Sequence, residues 1–387
     1  MLYQLILCNQ KELRGGKMKI SKNETITSFQ LFFFMVVAHL NIGIFTLPTI
    51  LFKYAKHNGW ISVLFSGVFS ISIIFLYSLL LKRFPNLTIF EICKFFFGKW
   101  IGGILIVGYI LYFIFTSLII SQFYIGSFGK WVFSNTPTWA ILLLLMMIGI
   151  YLGKESIRTL TRFYQLAFWV IFTIFLFSLS AYKDVDWQYL LPIGNTNITG
   201  IVKGSYHSIF MSEGFVSLLV VYPFVKAHHR KKINSSIISA LFVTFIYLFI
   251  VILCTGFFSS KELKLIPEPT IYLYKTLTFF HVLERLDLLF LSIWFVLIAS
   301  SYVVYLFLAN IGILNLLKIN KNRTLSILVI CSLIFLIGNF LPVTYSFMEK
   351  LLDIFNFASI IFIVVIPLLT LIISLLFKIK SKEVELT

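Results

Sequence analysis

The chain has 387 residues, of which 59% are apolar and 12% charged, with a mean hydropathy of +0.97 and a net charge of +17 from 32 Lys and Arg against 15 Asp and Glu. Soluble domains are roughly half apolar and about a quarter charged, so a water-soluble enzyme is excluded, as is a disordered chain, which lacks apolar surface. The apolar runs far exceed the ~10-residue alternating strands of a membrane barrel, which leaves an all-α polytopic membrane protein.

Residues 1–17 lack the basic start and flanked apolar stretch of a signal peptide. Met18 opens a short basic lead with Lys19 and Lys22 straight into the first apolar run, so 1–17 reads as an upstream extension. A spanning helix needs ~20 mostly apolar residues. Ten such runs follow, at 28–56, 60–82, 100–128, 138–153, 160–182, 199–226, 234–258, 284–316, 324–341 and 352–377. With the N-terminus in the cytoplasm, 22 Lys and Arg fall inside and 10 outside, which predicts ten spans with both termini inside. The division expected is a tail at 1–24, a transmembrane domain at 25–378 made of halves 25–182 and 197–378, and a tail at 379–387.

Between the spans lie their anchors. Trp60, Trp100, Trp131, Trp139 and Trp187 sit near span ends, as an aromatic belt does. The loop 259–283, with Pro267-Glu268-Pro269, reads as an interfacial helix, or else as a lid. The cluster His228 to Lys232 reads as topology signal and anionic-lipid contact, with no nucleic acid needed. Cys8, Cys93, Cys254 and Cys331 are scattered, without the spacing of a disulfide or metal framework. No P-loop, HExxH or GxSxG pattern occurs, so neither catalysis nor a cofactor or metal is expected.

Spans one and six carry the chemistry. Span one reads Asn41-Ile42-Gly43-Ile44 and then Pro48, and span six reads Ser212-Glu213-Gly214-Phe215 and then Pro223. Glycine followed by proline favours an interrupted helix. The second break comes five spans after the first, and five is odd, so the halves are two inverted five-helix repeats. Matching breaks in two halves point to a small-molecule site at the bilayer midplane, although glycine and proline also merely kink membrane helices.

Around that site, Glu213 reads as a contact to a ligand amine or a gating proton, the alternative being a helix cap. His39 and His207 read as helix–helix contacts before a proton switch. Ser300 and Ser301, with Val304 one turn on, are small residues in an otherwise apolar span that can pack helices closely, and a resemblance to broken-helix transporters would imply that they face the first break and hold a sodium ion or line the pocket. Tyr109, Tyr112, Phe113 and Thr116 share one face of span three, with Tyr112 and Thr116 favoured to line the pocket. Glu284, Arg285 and Asp287 form a local charge cluster at the start of span eight, with a partner contact as the minority reading.

Taken in order, Asn41 to Pro48, Gly98-Lys99-Trp100-Ile101-Gly102, Asp186-Trp187 with Leu191-Pro192, Gly214-Phe215 with Pro223-Phe224, and Glu284 to Asp287 resemble the B subunit of spore germinant receptors. That family in turn is similar to the amino acid–polyamine–organocation transporters, with a broken-helix inverted-repeat fold. The resemblance covers 19–377 and implies a sensor of small nutrients, amino acids first, in the spore inner membrane. It implies an A subunit and a lipoprotein C subunit as partners. Asn41 stands where relatives often carry glycine, and Glu213 precedes its glycine where relatives often read Gly-Phe-Glu. An ion-coupled amino-acid transporter of the same fold is the competing expectation.

Overall fold

The computed structural model describes residues 24–40, 43–192, 194, 197–276, 286–318 and 323–380. Met18, Asn41, Ile42, Glu284, Arg285 and the Cys8 region, all singled out in the sequence, lie outside the described residues. Within them the chain is almost wholly helical, as it must be where no water can satisfy backbone groups.

Helix α1 is Ser28–His39 and α2 is Gly43–Ala55, followed by α3, Gly59–Arg83. Helix α4 is Ile89–Trp131, α5 Thr138–Gly153 and α6 Ile157–Ser178. The second half begins with α7, Ile198–Met211, then α8, Leu218–Val221, between two 3-10 turns at Glu213–Ser217 and Tyr222–Phe224. Helix α9 is His229–Phe257, α10 Ser260–Leu265, α11 Pro269–Thr276, α12 Leu286–Leu317 and α13 Arg323–Phe340. The last span joins α14, Tyr345–Ser359, to α15, Ile366–Leu376, through a π segment at Ile360–Val365.

Local sequence sets several starts. Thr27 with Gln30, Thr88 with Glu91, and Ser259 with Glu262 form capping boxes on α1, α4 and α10. The Ser259 hydroxyl and backbone N–H hold the exposed Glu262 carboxylate below its ordinary pKa.

Among the described residues seven helical runs are long and apolar enough to cross a bilayer. An eighth crossing is the bent pair Ile198–Ile209 and Glu213–Phe224, inclined by 47°, while Ser28–His39 and Thr138–Gly153 are apolar but shorter. One of the seven, the run Gly43–Arg83, would as a straight rod be about 60 Å long, twice the hydrocarbon thickness. It reverses instead at Lys56, whose φ is 49°, and this brings Gly59 against Leu51. A second reversal falls inside α4 at Gly98, where φ is 74° and ψ −172°. Only glycine adopts that backbone freely, and it lays Gly102 on the Lys94 backbone, so the rod of span three starts after Gly98.

The neighbours repeat at an interval of five spans. Helix α3 packs on α9, α4 on α12 and α5 on α13. Helix α1 packs on α9, and its counterpart α7 packs on α3. This is the reciprocal pattern that two inverted repeats produce.

The segment read as an interfacial helix or else as a lid packs on the bundle over its described residues. Leu263, Ile271, Leu273 and Tyr274 are buried, because α10 and α11 fold over α2 and α12 as a cap. Its fastenings are Thr49 Oγ1 to the Ile266 carbonyl at 2.6 Å and Glu268 to both Ser127 (2.5 Å) and Trp131 Nε1 (2.6 Å). The other end of the bundle is closed by the N-terminal segment. Ile26 pairs with Val225 in an isolated parallel β-bridge, Arg158 reaches the Thr25 carbonyl at 3.1 Å, and Arg323 reaches Glu24 at 2.5 Å.

Candidate functional site where two broken helices meet

The first break begins where α1 ends at His39, with Leu40 already extended. Pro48 is not the break; α2 runs on through it. The proline leaves the Ile44 carbonyl, one turn back, without its helical donor, and the Thr270 hydroxyl from the cap supplies one at 2.7 Å. The second break lies at Ser212, between α7 and the Glu213–Ser217 turn.

The two breaks touch backbone to backbone. A Cβ on Gly214 would fall 2.2 Å from the Ala38 carbonyl carbon and 2.4 Å from the His39 nitrogen. In return, a Cβ on Gly43 would fall 2.7 Å from Met211 Cβ. One hydroxyl serves both sides: Tyr247 OH on α9 lies 3.2 Å from the His39 carbonyl and 3.3 Å from the Met211 carbonyl. Ser301 Oγ on α12 lies 2.8 Å from both the Val37 and Leu40 carbonyls, and Tyr305 OH approaches the Ala38 carbonyl at 3.5 Å. These carbonyls are what a helix loses when it stops inside a bilayer, and neighbouring hydroxyls take them up.

Glu213 is 3% exposed. Its Oε1 accepts a 2.8 Å hydrogen bond from Tyr112 OH, which also meets Ser359 Oγ at 3.2 Å. Its Oε2 is buried and has no hydrogen-bond partner among the described residues. His39 is in the same condition: Nδ1 lies 2.6 Å from the Met35 carbonyl, while Nε2 is buried without a partner among the described residues. Buried polar atoms in this state are rare, and each calls for a partner. Around Glu213 the Phe215 ring lies 6.5 Å from that of Tyr77, and the Tyr112 ring 5.3 Å from that of Phe362. A carboxylate with a free oxygen inside an aromatic shell suits an ammonium group.

The structure gathers Gly43, Ile44, Tyr112, Ser212, Glu213, Gly214 and Phe215 around the paired breaks. Ser212 bonds back to the Ser208 carbonyl at 3.1 Å, and the Phe215 ring centroid lies 5.8 Å from that of His39. Thr116 is buried but turned to its own helix, on the Tyr112 carbonyl at 2.9 Å. Ser300 is likewise turned away, to the Val296 carbonyl at 2.6 Å, and Val304 is a buried packing residue. One position on a helix is a 100° rotation, and it is Ser301 that faces the break. His207 stacks on Tyr54 with centroids 4.8 Å apart.

Tyr247, Tyr305 and Ser359 escaped the sequence reading. They sit in apolar runs without a local anomaly, so only the packing identifies them. Pro367 did leave a signal in the last span. It frees the Ile363 carbonyl one turn back, and Tyr77 OH occupies that carbonyl at 2.8 Å while Tyr109 OH takes the Phe362 carbonyl at 2.8 Å. Among the described residues no three of His, Cys, Asp or Glu gather in a metal-binding group, and Cys93, Cys254 and Cys331 are separate buried thiols.

Comparison with solved structures gives the same architecture. A Na+-coupled sialic acid symporter, described as substrate-bound and outward-open, superposes with a TM-score of 0.65 at 9% identity, covering 96% of this chain and 85% of that one. A manganese transporter from Eremococcus coleocola superposes at 0.61 and 11% identity, covering 89% and 78%. At such identities the likeness concerns the fold alone. Among curated proteins, the spore germination protein GerQB of Bacillus cereus is 25% identical over 321 residues, 82% of this chain and 86% of its own. Spore germination protein A2 of Bacillus subtilis (strain 168) is 27% identical over 303 residues, 74% of this chain and 80% of its own. The sequence profile of the family described as "Spore germination protein" matches residues 25–348, and the chain belongs to that family as a membrane protein with a transporter-like fold.

Proposed function

We propose that the chain is the integral-membrane subunit of a nutrient germinant receptor, which binds a small germinant, an amino acid, where the two breaks meet. The observation that carries this reading is the pair of unsatisfied buried atoms, Glu213 Oε2 and His39 Nε2, on either side of the Gly214–Ala38 contact. A ligand ammonium would meet the free Oε2 of the carboxylate, beside the Oε1 that accepts from Tyr112, and would draw on the same group. Because Tyr112 is tied to Ser359 on the last span, that change would reach a second helix. A ligand shifts such an equilibrium only by its different affinity for the two states.

The same reading places the chain in the spore inner membrane, with ten spans and both termini in the cytoplasm. The spans are 28–55 and 198–224 as broken helices together with eight continuous ones. An A subunit and a lipoprotein C subunit assemble with it, and membrane lipid surrounds it. The test is germination of spores lacking the gene, screened against single amino acids, nucleosides and sugars. Loss of response to one nutrient class supports the receptor.

A second reading is an ion-coupled amino-acid transporter, because the fold this chain shares with solved transporters does not by itself separate sensing from transport. Uptake of radiolabelled amino acid by proteoliposomes holding this chain alone would support it over the receptor.

A further inference from the structure

A basic corner lies at the end of the bundle opposite the cap, where α9 begins beside the end of α3. It holds Lys82 on α3 and the run His228-His229-Arg230-Lys231-Lys232 at the start of α9. In the sequence that run is one more basic segment between spans. In the structure its charges are out of balance. The first turn of α9 contains no acid and receives no side-chain cap, although its free N–H groups already carry positive partial charge. Lys232 is 7% exposed, and its ammonium rests on the Tyr222 ring at 4.1 Å and the Tyr222 carbonyl at 3.2 Å rather than on a carboxylate. Among the described residues no ion pair reaches Lys82 or residues 228–232, whereas Arg323 at the start of α13 is balanced by Glu24. Basic residues gathered on an uncapped helix N-terminus call for an anion from outside the chain.

The shape of the corner says which anion. Gly67 lies against Thr244, and Ser78 Oγ meets His229 Nε2 at 3.0 Å, so α3 and α9 run antiparallel. At 100° per residue the exposed Val68, Phe75, Leu79 and Lys82 make one stripe on α3, and the exposed Lys231, Ile238, Leu241 and Phe245 make one on α9. With the seam fixed by those two contacts, both stripes turn to the same flank. Each is apolar along the span and ends in a lysine at the same end of the bundle. From Val68 to Lys82 is about 21 Å of helix, more than the ~15 Å depth of one hydrocarbon leaflet. A soluble anion would use only the cations, while a lipid uses the cations and the apolar run together.

We infer that this flank of the α3–α9 seam is a binding site for one anionic phospholipid. Its phosphate lies between Lys82, Arg230 and Lys231 at the open N-terminus of α9, and its acyl chains lie along the two stripes. The inference is independent of what the breaks bind, and it holds for a receptor and for a transporter.

Native mass spectrometry tests it, on the full chain delipidated in detergent and titrated with phosphatidylglycerol or with phosphatidylcholine of the same acyl chains. The first phosphatidylglycerol should bind at least tenfold more tightly than the first phosphatidylcholine. Lys82→Gln, Arg230→Gln and Lys231→Gln should each weaken it about fivefold. Lys154→Gln is the control: it too is exposed, beside Gly153, which packs on Ile327 at another corner of the same end, and it should leave the affinity unchanged. All four side chains are exposed, so the variants keep the core intact. Equal affinity for the two lipids overturns the site. So does an equal loss in Lys154→Gln, which would make the attraction one of total charge. Displacement of phosphatidylglycerol by glycerol 3-phosphate at hundredfold excess overturns the lipid and leaves a soluble phosphate as the occupant.

Discussion

Gly214 lies directly against the Ala38 carbonyl, at a distance that leaves no room for a side chain: its Cβ would stand 2.2 Å from the carbonyl carbon and 2.4 Å from the oxygen. The neighbour is backbone at a helix end, which cannot swing aside as a side chain would. The two interrupted helices are thus held in register by the absence of one methyl group. Gly43 against Met211 repeats the device from the other side, with a side chain as the neighbour.

Gly214→Ala should therefore destabilise the protein by at least about 3 kcal/mol, the upper range of overpacking, since the backbone must part. Gly103→Ala, with nothing within 4 Å of the added carbon, is the control and should leave stability unchanged or raise it by up to about 1 kcal/mol. Thermal unfolding in detergent, followed by size-exclusion fluorescence, reads both. Equal midpoints for the two variants would remove the contact from the account.

Tyr247→Phe removes the hydroxyl shared by the His39 and Met211 carbonyls. A buried acceptor left without a donor costs about 1–3 kcal/mol. The variant should unfold at a lower temperature and show faster hydrogen exchange at residues 36–40 and 211–214. Unchanged exchange there would mean that the breaks are satisfied by other groups.

Thr270→Val tests the cap. It withdraws the donor that Pro48 makes necessary at the Ile44 carbonyl, with an expected loss of about 1–3 kcal/mol. Adding Pro48→Ala should recover part of it by restoring an N–H one turn on. The double-mutant cycle is the measurement, and additive losses would refute the coupling.

Glu213→Gln keeps the shape of the side chain and an acceptor for Tyr112, so the protein should still reach the membrane at normal level. On the proposed receptor reading the germination dose response should move by tenfold or more, because the group proposed to meet a ligand ammonium has lost its charge. A wild-type dose response would reduce Glu213 to a structural acceptor.

Arg323→Ala removes the ion pair with Glu24 at the opposite end of the bundle, where the Ile26–Val225 bridge also sits. Maleimide labelling of an Ile26→Cys reporter should rise severalfold in the Arg323→Ala background. Unaltered labelling would show that the β-bridge and Arg158 suffice to close that end.

Much of this protein is dictated by the sequence alone. A chain so apolar must satisfy its backbone within helices, so the class follows from composition, and most span positions follow from the charged and turn residues between the runs. The breaks were legible through their glycines, Gly43 and Gly214, which let the two chains approach, whereas Pro48 frees a carbonyl inside α2 without breaking it. Tertiary structure decided which hydroxyl meets which freed carbonyl. Ser301 and Ser300 are chemically identical and differ only by 100° of helix rotation, so no local pattern could assign the break to Ser301. Tyr247, 208 residues from His39, is one more tyrosine in an apolar run until the packing of α9 on α1 sets it between two helix ends. The 259–276 segment likewise mixes polar and apolar residues as an interfacial helix would, and only the packing shows that Leu263, Ile271 and Leu273 are buried while Lys261, Lys264 and Leu265 stay exposed, with Thr49, Ser127 and Trp131 on distant spans fixing the segment in place. Backbone chemistry travels with the residue, whereas the meeting of side chains from helices far apart in sequence depends on how those helices rotate and cross.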